Sequence, residues 1–248
     1  MTNLLDRIYR KNPLTFALIW IGAYVVLLSL ADGISEAIGV QKLVTVIVCL
    51  VLTAVLIGWI RKNGKQAYFG LQKPAVPAAK MLFYLPLAVM TSVNLWHGAV
   101  LNMSVTETAL YMISMLFVGV LEEIIFRGLL FRAMAKDNMK AAVLVSSVTF
   151  GMGHIVNLLN GAPLIDSLLQ IEYATAVGLL FTTMFLRTGS IVPCIVCHSV
   201  LNALSAIANE GALTMTDNII TAAVLTVIPA VYAVYMIKKT EPRALPGD

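Results

Sequence analysis

Apolar residues gather along this chain into long blocks, and a short polar interval closes each block. Eight blocks reach roughly 17 residues or more, near the length at which a helix rising about 1.5 Å per residue crosses about 30 Å of hydrocarbon. They lie near residues 14–32, 43–60, 81–98, 107–126, 141–157, 168–186, 190–208 and 219–237. The pattern predicts an all-α fold, a polytopic membrane helix bundle of about eight transmembrane helices. The turn between the fourth and fifth helices is expected at Asp137 and Asn138, which carries the fourth helix on through Arg127 and Arg132.

Charge tests this count, because one helix too many or too few would scramble the alternation of basic loops. Arg7, Arg10 and Lys11 precede the first block, and Arg61, Lys62, Lys65, Lys73 and Lys80 follow the second. Arg127, Arg132, Lys136 and Lys140 follow the fourth, Arg187 the sixth, and Lys238, Lys239 and Arg243 the eighth. Of 17 basic residues only Lys42 falls on the other side, so both termini are expected in the cytoplasm. Composition agrees: 59% hydrophobic and 12% charged residues, with a mean hydropathy of +0.88, are far from the balance of a soluble domain. An integral protein of a bacterial plasma membrane is expected, surrounded by lipid. The net charge of +4 follows from this topology and requires no nucleic-acid partner.

No linker, low-complexity tract or clear repeat interrupts the chain, so residues 1–248 read as a single integral membrane domain. The first basic residues lead into an apolar block without a small-residue cleavage site, the pattern of a retained signal anchor. The polar loop from Arg61 to Lys80 is expected on the cytoplasmic surface, and Trp59, Trp96 and His97 at the membrane interfaces. Cys49, Cys194 and Cys197 all lie in apolar blocks and offer no disulfide framework. Residues 194–198 read CIVCH, the pattern of covalent haem attachment, but within a membrane helix that attachment is not expected.

Charges inside apolar helices narrow the chemistry. Each costs at least about 2.5 kcal/mol at the helix centre and so needs a partner or a cavity. Glu123 and Arg127, four residues apart, can pair along one helix. Glu122 points about 100° away from Glu123 and needs a partner from another helix. His154 and His198 are the candidates; Phe150 shares a face with His154, and Asn202 with His198. Counted from the expected turn, Glu122 and His154 both lie about 16 residues off, hence roughly 23–25 Å and level with each other. His198 reaches that level where the fourth and fifth helices protrude about 10 Å beyond their neighbours. One polar cluster results, with Glu122, His154, His198 and Asn202 braced by Glu123 and Arg127. Glu172 is expected to line the same cavity. Its mouth is expected at the cytoplasmic face, with lateral access from lipid as the alternative.

A carboxylate beside an imidazole can take a proton from water while the imidazole orients that water or protonates a leaving amine. A second imidazole and an amide can donate to the oxyanion of a tetrahedral intermediate. These are the parts of peptide hydrolysis. The same residues resemble a known family. EEIIFR at 122–127 fits E-E-x-x-x-R, FGMGH at 150–154 fits F-x-x-x-H, and HSVLN at 198–202 fits H-x-x-x-N. That order resembles the CPBP membrane proteases, which include CAAX prenyl endopeptidases and bacteriocin-processing and self-immunity (Abi) proteins. The resemblance covers about residues 105–205 and implies an intramembrane glutamic-type endopeptidase. It implies Glu122 as general base with His154, His198 and Asn202 as the oxyanion site, and Glu123, Arg127 and Phe150 in support. The implied substrate is a membrane-associated or lipidated peptide: a pheromone or bacteriocin precursor, or a lipidated C-terminus. This mechanism needs no cofactor; a zinc metalloprotease with Glu122, His154 and His198 as ligands is the mechanistic alternative. Two further classes remain open, a non-catalytic self-immunity or binding protein and a proton-coupled transporter, which also places carboxylates and histidines inside a bundle.

Overall fold

The computed structural model describes residues 4–77 and 81–239, with the side chains of residues 81–83 left out; the expectations for Lys80 and Arg243 lie outside the described residues. Helix α1 (Leu4–Lys11) ends at Asn12, whose side chain accepts the Thr15 N–H while Pro13 opens α2 (Pro13–Ile38). Asn and Pro start helices well because one satisfies and the other lacks a first-turn N–H. Gly39, in the left-handed region at φ 80°, ends α2, and α3 (Leu43–Lys62) returns across the bundle. Next come α4 (Met81–Ser92), with a 3₁₀ turn at Val93–Leu95, and α5 (Val105–Glu123), which opens on a reciprocal cap between Ser104 and Glu107. Helix α5 does not stop at Glu123. It continues through a π-helical stretch, Ile124–Phe131, into α6 (Arg132–Ala135). Asn138 caps α7 (Met139–Gly153), and His154 stands at the break before α8 (Ile155–Leu159). The chain closes with α9 (Leu164–Thr188), α10 (Val192–Leu204) and α11 (Met215–Lys239).

Every apolar block of the sequence becomes helix. Among the described residues, six helical stretches are long and apolar enough to cross a membrane: Pro13–Ile38, Leu43–Lys62, Val105–Ala135, Met139–Leu159, Leu164–Thr188 and Met215–Lys239. The third and seventh blocks give shorter apolar helices, Tyr84–Leu95 and Val192–Ile207. Val26, Leu30, Val227 and Val231 stand exposed on outward faces, where hydrocarbon is their solvent. Among the described residues there is no β-strand, only a bridge between Ala99 and Ala208. The protein is an all-helical, polytopic integral membrane bundle.

The two ends of the bundle are built differently. At the basic end, α1 wedges under α2 and α3. Trp59 is buried there with Phe16, Tyr9 and Phe69, and its ring N–H donates to Asp6 over 2.8 Å. Trp59 is therefore a core residue and not an interfacial one, since a buried indole N–H needs an acceptor; Trp96 is exposed. The loop after α3, expected on the surface, is tucked in: Phe69 is buried, and the Gly70 carbonyl accepts Ile191 N–H over 2.9 Å. At the other end, short loops are stitched together by Lys42 to Asp32 (2.9 Å), Asn218 to Asp166 (3.3 Å) and Asn209 to the His97 carbonyl (3.2 Å).

Candidate active site

Small residues bring the key helices into contact. A Cβ on Gly119 would lie 2.7 Å from both Cα and N of Ser199, so α10 rests directly on α5. The Ser199 hydroxyl donates across that seam to the Leu116 carbonyl over 2.8 Å. Ser146 of α7 likewise donates to the Phe126 carbonyl over 2.9 Å, tying α7 to the π-helical stretch. π-Helical turns of this kind are rare and occur frequently at functional sites.

These seams place His198 against both glutamates. Its Nδ1 lies 2.9 Å from Glu123 Oε1, and the same oxygen accepts from Arg127 over 2.9 Å. The side chains of Glu123 and Arg127 are 0% exposed. The Arg127 guanidinium also lies 4.1 Å from the ring centroid of Phe150 and 5.4 Å from that of Phe181, where cation–π attraction supplements the ion pair. A carboxylate only accepts, so His198 presents Nδ1–H to Glu123. Its Nε2 is thereby turned toward Glu122, whose Oε2 lies 3.4 Å away.

Glu122 has a partner that sequence reasoning missed. The Tyr24 hydroxyl, from α2, donates to Glu122 Oε1 over 2.6 Å. Tyr24 is buried, 98 positions from Glu122, in a block whose other aromatic and apolar residues carry no sign that sets it apart. The only available hint is general, that a buried phenol seeks an acceptor. Phe150 separates the two imidazoles, lying edge-on to His154 at 5.7 Å and to His198 at 5.5 Å between ring centroids. The structure thus gathers Glu122, Glu123, Arg127, Phe150, His154 and His198. Asn202, one turn beyond His198, lines the same cavity as Tyr24, Glu122, His154 and His198.

That cavity holds about 1020 Å³. It runs from Glu122 to the exposed residues His97 and Glu210, at the end of the bundle away from the basic turns. The expected mouth at the basic end is therefore corrected: the tucked loop around Phe69 occupies that end. Glu172 is also corrected. It is exposed on the outer side of α9 and is absent from the cavity wall.

The zinc alternative requires three side chains converging on one point. Among the described residues, no group of three His, Cys, Asp or Glu side chains could hold a metal ion. Glu122 Oε1 and His198 Nδ1 are engaged by Tyr24 and Glu123. Cys194 and Cys197, of the haem-like pattern, are buried free thiols.

Residues 104–204 match one family model, described as type II CAAX prenyl endopeptidase Rce1-like. The match spans α5 to α10 and therefore every residue of the cluster except Tyr24. The match makes this core similar to that family. No curated protein and no solved structure matches the chain.

Proposed function

We propose, from the likeness of this core to the type II CAAX prenyl endopeptidases, that the protein is an intramembrane endopeptidase. It hydrolyses a membrane-associated peptide with water activated by Glu122. The observation that carries the reading is the arrangement around Glu122. One carboxylate oxygen is held by Tyr24 and the other faces His198 and a cavity large enough for a peptide. A water in that cavity would lose its proton to Glu122 as it attacks the scissile carbonyl, with His154 orienting it, and that proton would pass by way of His154 to the leaving amine as the C–N bond breaks. The developing oxyanion would be met by Asn202 and by His198 Nε2 once that nitrogen carries a proton. Glu123, through Nδ1–H, fixes the ring orientation this requires, and Arg127 and Phe150 hold Glu123 and the two imidazoles in place. The mechanism is glutamic-type and asks for no cofactor.

Substrates of this chemistry are peptides already at the membrane: a pheromone or bacteriocin precursor, or a lipidated C-terminus. Mass spectrometry of membrane and secreted peptides identifies which. Host cells carrying wild type or Glu122→Gln at matched abundance are compared. A precursor that accumulates only in the variant, with its product missing, is the expected result and names the scissile bond. Identical peptide profiles would remove the role given to Glu122 and favour a binding or self-immunity protein.

A further inference from the structure

The basic end of the bundle is sealed directly beneath the cluster. Phe69 is 1% exposed, and its Cβ lies 3.6 Å from where a Cβ on Gly128 would sit. Beyond it, Gly70 adopts φ 77° and packs so closely that a Cβ would meet the Phe185 ring at 2.6 Å. The loop is then pinned twice more, by Gln72 Nε2 donating to the Gly189 carbonyl over 2.8 Å and by Ser190 Oγ donating to the Gln72 carbonyl over 2.5 Å. Arg132, 1% exposed, lays its guanidinium 3.9 Å from the Tyr68 ring centroid, and Lys65 and Lys136 flank the same ring at 5.1 and 5.7 Å. Among the described residues, none of this loop lines the cavity, whose wall runs the other way to the exposed His97 and Glu210.

Among the described residues, every basic residue except Lys42 belongs to the sealed end or to segments running into it, and such an end stays in the cytoplasm. We infer that the site is reached from the non-cytoplasmic side of the membrane, so that its peptide substrate must cross or insert into the bilayer before it is cleaved. That the arriving molecule is a substrate rests on the protease reading. The sidedness rests on the sealed end, the mouth and the charge distribution alone. A cavity of about 1020 Å³ stands at the upper end of the roughly 300–1,000 Å³ of ligand pockets, room for a few residues of an extended peptide. The reaction class that supplies this site is therefore translocation, and the cleaved product is released on the outer face.

Thiol accessibility in intact cells tests this without requiring cleavage. Cys49, Cys194 and Cys197 are buried, so wild type serves as the unlabelled control. Three variants are compared at matched abundance: Glu210→Cys at the mouth, Ser205→Cys deeper on the cavity wall, and Lys62→Cys at the basic end. A small membrane-impermeant methanethiosulfonate should label the first two in intact cells and the third only after permeabilisation. Labelling of Lys62→Cys in intact cells with Glu210→Cys protected would reverse the orientation and overturn the inference. Labelling of Glu210→Cys with Ser205→Cys protected would overturn access from that side. Peptide profiles unchanged by Glu122→Gln would instead sink the protease reading while leaving the sidedness standing.

Discussion

The ion pair between Glu123 and Arg127 is the place where a single change should cost most. Both side chains are 0% exposed, and they meet at 2.9 Å. Two unit charges about 4 Å apart, at an effective dielectric constant near 20, attract by roughly 4 kcal/mol. Removing one member of a buried pair costs about 3–5 kcal/mol, because the other is left without compensation. The structure also ranks the two removals. Arg127→Met leaves Glu123 Oε1 still accepting from His198 Nδ1. Glu123→Gln strips Arg127 of its charged partner while Arg127 Nε and its second terminal nitrogen already lack a hydrogen-bond partner, and it also takes the carboxylate from His198. Glu123→Gln should therefore be the more damaging, near the top of that range, and Arg127→Met near the bottom. The double variant should lose less than the sum, with a coupling of about 1–3 kcal/mol. Denaturant unfolding of the detergent-solubilised protein, followed for wild type, both single variants and the double, measures all three quantities. Additivity within about 0.5 kcal/mol, or the reverse ranking, would refute the reasoning.

Tyr24→Phe deletes one hydroxyl and leaves Glu122 Oε1 without its 2.6 Å donor. Since a hydrogen bond to a charged group is worth about 1.5–3 kcal/mol, kcat on a membrane-anchored peptide should fall by about 10- to 100-fold with KM little changed; equal loss through KM would make Tyr24 a binding residue. Gly119→Val pushes a side chain into the Ser199 backbone at 2.7 Å, and overpacking of this kind costs about 1–3 kcal/mol or more. Its thermal midpoint should drop, and an unchanged midpoint would mean that α5 and α10 are not in direct contact. Gly70→Ala forces a side chain into the left-handed region, a strain of about 1–3 kcal/mol, and against Phe185. Protease nicking of the loop after α3 should then rise, and a fully resistant loop would show that the seal tolerates a methyl group.

Helices and motif register were legible in sequence because both depend on local spacing. Apolar blocks of membrane-crossing length have few alternatives to helix, and residues four apart share a face wherever they fall. Counting out from the Asp137 turn put Glu122 and His154 near one another, and both line one cavity. Tyr24 and the seal at Phe69 were not legible, because each depends on contacts between segments distant in the chain. A tyrosine in an apolar block looks the same whether its hydroxyl faces lipid headgroups or a carboxylate 98 positions away. Glu172 shows the opposite error. A charge in a predicted span invites a cavity, yet its actual orientation on α9 turns it outward.

The π-helical stretch gives the long helix a property that its apolar sequence conceals. Its N–H groups reach back five residues instead of four, so the two halves of one continuous rod run out of step. Upstream, α5 keeps time with α3 and α10; downstream, α6 keeps time with α7 and α2. Deleting one residue between Ile124 and Phe131 would rotate everything beyond it by about 100°, turning Arg132 away from Tyr68 while leaving Glu122 and Glu123 in place. The number of residues in this stretch is thus a constraint of its own, distinct from what those residues are.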